Sequence, residues 1–130
     1  MGIEAQRQVL VVDDFATMRR VVRNLLTELG YKSMREAQDG SEAKVMLEQH
    51  NFDLVVLDWN MPNTPGIEVL RWVRGHETLS NLPVLMVTAE ATREQILEAA
   101  ELGVNAYILK PFTASTLKKK LDFIFQKNPV

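Results

Sequence analysis

Short apolar runs alternate with longer stretches of helical period along the chain, and this alternation constrains the fold most. Val9–Val12, Leu54–Leu57, Val84–Val87 and Tyr107–Leu109 are brief and rich in Val, Ile and Leu, the pattern of strands buried on both faces. Ser33–Glu36 is a weaker candidate. Between the runs, Met18, Val22, Leu25 and Leu29 fall at helical spacing, and Gly30 follows where a C-terminal glycine cap belongs. Ala43, Met46 and Leu47 mark the inner face of a second helix over Ser41–Gln49, Ile67, Leu70 and Val73 that of a third, and Gln95–Leu102 sits within a fourth. Thr113 is a candidate cap for the last, whose Leu117, Leu121, Ile124 and Phe125 form an apolar stripe. A β-α unit repeated five times predicts a parallel sheet covered by helices on both sides, because parallel strands need crossover connections. No linker, repeat or low-complexity segment interrupts it, so the reading is one α/β domain over residues 1–130.

In open α/β sheets, sites form beyond the carboxyl ends of the strands. The chemically interesting residues follow the apolar runs: Asp13 and Asp14 the first, Asp58 the third, Thr88 the fourth and Lys110 the fifth. In a doubly wound sheet these side chains share one edge. Two unit charges about 4 Å apart at an effective dielectric of about 20 interact by roughly 4 kcal/mol. Clustered carboxylates therefore raise one another's pKa values or recruit cations. Lys110 supplies one positive charge, and a hard divalent ion such as Mg2+, which favors carboxylate, carbonyl and water oxygens, completes the compensation. Such a site can accept a phosphoryl group, whose transfer depends mainly on positioning and charge neutralisation. Each residue taken alone has a plainer explanation. An Asp after a strand serves as a turn former or helix cap, Thr88 as a cap of the following helix, and Lys110 as a solvated lysine.

Taken together, the strand-end residues and the segments "VVDDFATMRRVVRNLL", "DWNMPN", "LPVLMVTAEA" and "KPFTASTLKKKL" resemble the receiver domain of two-component response regulators, specifically the stand-alone chemotaxis type. The resemblance covers essentially the whole chain. It implies a flavodoxin-like, five-stranded sheet of order 2-1-3-4-5 with five helices. It also implies that Asp58 is the phosphoacceptor, attacking a phosphohistidine on a partner kinase. Asp14 and Asp58 become carboxylate ligands of Mg2+, with Asp13 acting mainly through water and the backbone carbonyl of Asn60 as a further ligand. Lys110 and Thr88 become phosphate-binding groups, and the Lys110-Pro111 bond is expected to be cis. Tyr107 becomes a switch residue that moves between outward and inward positions, and Asn60 and Glu90 tune loss of the phosphate. The family often has Asp-Gly where this chain has Pro65-Gly66, a departure expected to affect the stiffness of the "NMPNTPG" loop rather than the chemistry. Trp59 is expected to be a partly exposed loop aromatic.

With no effector domain recognised, output is expected to be a binding event. The matched output positions are Ala91, Arg93, Ile96, Ala100, Tyr107, Leu109 and Lys120. Ile96 and Ala100 share a helix face, and by sequence alone that face is equally core or surface. The Lys118–Lys120 run reads as a solvated face or a contact for an acidic partner. The partners implied are a chemotaxis histidine kinase, the flagellar motor switch protein and a phosphatase, acting on a monomer.

The bulk composition narrows the surroundings. Fifteen basic against 17 acidic residues leave a net charge of -2, which argues against a surface that tracks nucleic acid. No apolar run reaches the roughly 18 residues of a membrane span, and "MGIEAQRQ" lacks a secretory core. Met1-Gly2 begins an acylation pattern, but Gln6 stands where Ser or Thr is wanted. The absence of cysteine excludes disulfide chemistry and favors a cytoplasmic setting. Three rivals remain. A Mg2+-dependent aspartyl-phosphate phosphatase usually carries a second acid two residues past its nucleophile, where this chain has Asn60. A flavin-binding module wants a phosphate-cradling loop where "DDFATM" stands. A receiver relaying phosphate to, or binding, a non-flagellar partner has the same catalytic residues and differs only on the fourth-helix face.

Overall fold

The computed structural model describes residues 2–126; Met1, the first residue of the discounted acylation pattern, lies outside them. Five strands, β1 (Gln8–Val12), β2 (Ser33–Ala37), β3 (Leu54–Asp58), β4 (Val84–Thr88) and β5 (Ala106–Leu109), alternate with helices α1 (Ala16–Glu28), α2 (Gly40–Gln49), α3 (Gly66–Gly75), α4 (Arg93–Glu101) and α5 (Ala114–Gln126). A single turn of 3-10 helix, Ile3–Gln6, precedes β1. The strands are all parallel in the order β2-β1-β3-β4-β5, so the five-stranded doubly wound sheet expected from the alternation is the fold observed. Among the described residues, no helix is long and apolar enough to cross a membrane.

The strength of each strand's sequence signal follows its place in the sheet. Every residue of β3 and β4 is buried, as is β1 after Gln8. These three central strands are covered on both faces and read as unbroken apolar runs. The edge strands β2 and β5 are only partly buried, which accounts for the faint signal at Ser33–Glu36. Two apolar layers flank the sheet. One joins Leu10, Val12, Val55, Leu57, Val84 and Met86 to α2 and α3. The other joins Val9, Val11, Val56, Leu85 and Val87 to α1 and α5. The stripe on α5 divides accordingly, with Leu117, Leu121 and Ile124 fully buried and Phe125 partly so.

Helix ends carry the remaining local instructions. Gly30 takes a φ of 102°, and Tyr31 N–H reaches back to the Leu26 carbonyl at 3.0 Å, closing α1 with a left-handed glycine. Thr113 Oγ1 accepts from Thr116 N–H at 3.2 Å and so caps α5. Two caps were not foreseen. Asp39 accepts from Glu42 N–H ahead of α2, and Thr92 forms a reciprocal capping box with Gln95 ahead of α4. The α4 cap is therefore Thr92 and not Thr88.

At the amino end of the sheet, Arg74 on the last turn of α3 gathers three segments. Its guanidinium donates to the carbonyls of Leu82 (2.7 Å), Gly103 (2.8 Å from Nη2) and Ser80 (3.3 Å), and to Asn105 Oδ1 (2.9 Å). Asn105 Oδ1 also accepts from Val84 N–H at 2.8 Å, which ties the start of β4 to the loop that enters β5.

Candidate functional site

The site is assembled where β1, β3, β4 and β5 end. Asp13 extends the ladder by one residue, its N–H donating to the Ala37 carbonyl at 3.1 Å. Its carboxylate then turns the chain: Oδ1 accepts from Phe15 N–H at 2.9 Å just before α1 begins. Asp58 is the last residue of β3, and Trp59 N–H continues onto the Val87 carbonyl at 2.8 Å. Lys110 follows β5, with its N–H on the Thr88 carbonyl at 2.8 Å, and the peptide bond from Lys110 to Pro111 is cis.

These backbone placements bring four charged side chains together. Asp13, Asp14 and Asp58 each offer a carboxylate oxygen, and the three oxygens lie within 4.8 Å of one another. Asp13 and Asp58 are buried and Asp14 is exposed. Lys110 Nζ stands 3.1 Å from Asp58 Oδ1 and 3.4 Å from Asp13 Oδ2. Lys110 therefore does not extend into water, as the plainer explanation would have it; two buried acids draw it in. Three carboxylates against one ammonium leave the corner short of positive charge. Burial, reinforced by the nearby Asp13 charge, pushes the Asp58 carboxyl up to about 6, while Lys110 and the backbone N–H of Asn60 oppose the rise. Asp58 is still mostly ionised at neutral pH. A cluster of hard oxygen donors with surplus negative charge suits a divalent cation of the Mg2+ type.

The loop after Asp58 is held close. Gly66 N–H donates to the Trp59 carbonyl at 2.9 Å, and a Cβ on Gly66 would intrude on the carbonyl oxygen of Asp58 and on the Trp59 backbone. The constraint at this point thus falls on Gly66. Pro65 beside it is the residue ahead of α3, with φ -59° and ψ 151°. Trp59 corrects the sequence expectation: it is 7% exposed and belongs to the core between the sheet and α2–α3. Its flanking "DWNMPN" is polar enough to disguise that.

Thr88 is buried at the end of β4, and its hydroxyl is engaged with Glu90, donating to the carbonyl at 2.8 Å and accepting from the N–H at 3.2 Å. Beneath it a small cavity is bounded by Trp59, Ala91, Ile96 and half-buried Tyr107. Beyond that cavity, Ile96, Ala100, Tyr107 and Lys120 line an open groove of about 600 Å3 between α4, β5 and α5. Ile96 is half-buried and Ala100 exposed, so this helix face is surface and not core. Lys120 Nζ lies 5.3 Å from the centre of the Tyr107 ring. Arg93 and Leu109 are exposed nearby, and Ala91 is half-buried. In the basic run of α5, Lys118 is exposed and pairs with Asp122 at 2.7 Å.

Comparison with known proteins agrees with this arrangement. Residues 9–122 match the response regulator receiver domain, and the chain belongs to that family. It is 59% identical over 120 residues to chemotaxis protein CheY-3 of Vibrio cholerae, covering 92% of each chain. It is 57% identical to chemotaxis protein CheY of Pseudomonas aeruginosa over 92% of this chain and 97% of that one. Among solved structures, chemotaxis protein CheY4 of Vibrio cholerae superposes with a TM-score of 0.84 at 34% identity, over 91% of this chain and 98% of that one. Within its family the protein is a chemotaxis response regulator receiver of the CheY type.

Proposed function

We propose that the protein is a single receiver domain that takes a phosphoryl group onto Asp58 from a chemotaxis histidine kinase and then binds the flagellar motor switch protein. The observation that carries this reading is the buried Asp58 carboxylate with Lys110 Nζ 3.1 Å away and Asp13 and Asp14 beside it. In the transfer, an Asp58 oxygen forms a bond to phosphorus as the bond from phosphorus to the histidine nitrogen breaks, and the imidazole leaves with its electron pair to be protonated by solvent. Asp13, Asp14, Asp58 and the Asn60 carbonyl hold Mg2+, which neutralises charge on the transferring group when bound. Lys110, already on Asp58, pairs with a phosphate oxygen. Thr88 gives up its bond to Glu90 to donate to another, and Asn60 and Glu90 flank the path by which water removes the phosphate.

Output lies on the α4–β5–α5 face. Thr88, Tyr107 and Ile96 border one small cavity, so a turn of the Thr88 hydroxyl changes the space open to the Tyr107 ring and biases the groove. Ala91, Arg93, Ile96, Ala100, Tyr107, Leu109 and Lys120 form the contact surface for the switch protein, and a phosphatase acts at the Asn60–Glu90 edge. The protein works as a monomer in the cytoplasm and modifies itself, with no separate turnover substrate. Incubation with acetyl phosphate and Mg2+ tests the reading: mass spectrometry is expected to show the gain of one phosphoryl group, abolished in Asp58→Asn. Equal labelling of that variant refutes the acceptor. Equal affinity of phosphorylated and unphosphorylated protein for a switch-protein peptide refutes the output assignment.

A further inference from the structure

Asp13 and Asp14 are adjacent in sequence but held very differently. Every polar group of Asp13 is engaged: its N–H on Ala37, Oδ1 on Phe15 N–H, Oδ2 near Lys110, and its carbonyl on Arg19 Nη1 at 2.7 Å. The exposed Asp14 carboxylate has no hydrogen bond or ion pair among the described residues. Asp14 therefore takes its direction from the backbone. The carbonyl of Asp13 and the N–H and Cα of Asp14 belong to one planar peptide unit, so whatever fixes that carbonyl fixes the position of the Asp14 Cα and leaves only rotation about its N–Cα bond to set how the side chain leaves the backbone.

Arg19 is itself fixed. Its Nε donates to Glu36 Oε1 at 2.7 Å, and Arg23 Nη1 holds the other Glu36 oxygen at 2.6 Å. Glu36 sits on β2, opposite Val11 of β1. The Arg19 side chain is 16% exposed, a planar fork braced between a strand and the loop that bears the acids.

We propose that Arg19 is a positioning residue for the acid corner: by locking the Asp13–Asp14 peptide it aims the Asp14 carboxylate at the cation shared with Asp58. This rests on the metal-binding reading above. The sign of the effect separates positioning from simple electrostatics. A cation near a Mg2+ site repels the ion, so removing its charge tightens binding if charge is all that matters. If Arg19 orients a ligand, its removal weakens binding, as loss of an outer-shell partner does.

The test is calorimetric titration of the full chain with Mg2+ alone, beside thermal denaturation without metal. Arg19→Gln is expected to weaken Mg2+ binding about tenfold, the low end for outer-shell partners. Arg19→Lys keeps the charge but lacks the fork, and is expected to fall between that variant and the parent. Asp14→Asn is expected to weaken binding at least as much as Arg19→Gln. Unchanged or tighter Mg2+ binding by Arg19→Gln, with only a lower melting temperature, overturns the proposal and leaves Arg19 as a tie between α1 and β2. If Arg19→Gln does not fold, Arg19→Lys decides by the same criterion. If the parent binds no Mg2+, or Asp14→Asn binds it as well as the parent, the metal-site reading fails first and the proposal falls with it.

Discussion

At the amino end of the sheet, the Arg74 guanidinium donates to three carbonyls and to Asn105, and Asp53 pairs with Gln8, its N–H on the Gln8 carbonyl and its Oδ2 on the Gln8 N–H, both at 2.8 Å. At the carboxyl end, three carboxylates share one ammonium. The carboxyl end buries Asp13 and Asp58, whereas at the amino end Arg74 is half-buried and Gln8 and Asp53 are exposed, and among the described residues no buried side-chain nitrogen or oxygen lacks a hydrogen-bond partner. The difference lies in the balance of charge. Arg74 has as many acceptors as its fork can use, and its cost of desolvation is met by hydrogen bonds. The buried acids of the corner have their hydrogen bonds but not their full charge balance, and the exposed Asp14 carboxylate beside them is unpaired among the described residues, so the corner remains open to a cation from solution. One end holds the fold together, and the other keeps an unmet electrostatic demand.

Three experiments break or sharpen this contrast. Arg74→Met at the amino end should cost the most, about 3 kcal/mol, because several carbonyls lose a charged donor at once. Urea denaturation measures it, and a loss below about 1 kcal/mol would mean that water replaces the guanidinium freely.

Asp58 should behave in the opposite sense. Its carboxyl is raised from an ordinary 3.8 to about 6, so between those values the folded chain binds more protons than the unfolded one. The associated stability is fully present below about pH 4 and lost as pH rises through 6, by about 3 kcal/mol without metal. Asp58→Asn should flatten that part of the pH profile and stabilise the metal-free protein at pH 7.5 by up to about 2 kcal/mol. Denaturant melts from pH 4 to 8 follow this, and a variant less stable than the parent at pH 7.5 would show that Lys110 already compensates the corner fully. Thr113→Ala, beside the same corner but outside its charges, calibrates the scale. Losing the α5 cap should cost about 1 kcal/mol, with no change in the pH profile.

The carboxyl end was far more legible in the sequence than the amino end, and the reason is physical. A buried strand that stops at an acid is conspicuous, because apolar runs and carboxylates do not adjoin without cause. Asp13, Asp14, Asp58 and Lys110 each follow such a run, and the topology then brings them together. Arg74 gives no such signal. It is one arginine on an amphipathic helix, and only the fold reveals that Leu82, Gly103 and Asn105 converge on it. Arg19 was hidden in the same way, since helical period says which residues face the core but not which carbonyl a long side chain will reach. Trp59 was misjudged, and the close approach at Gly66 not foreseen, because the loop between β3 and α3 is polar in composition yet packed in fact.

The clasp formed by Arg74 and Asn105 also has a mechanical meaning. It pins β4 and the entry to β5 at their bases, and Thr88 lies at the opposite end of β4, four residues beyond the pinned Val84. A beam clamped at one end deflects most at its free tip, so β4 is held most firmly at Val84 and has its greatest freedom at Thr88.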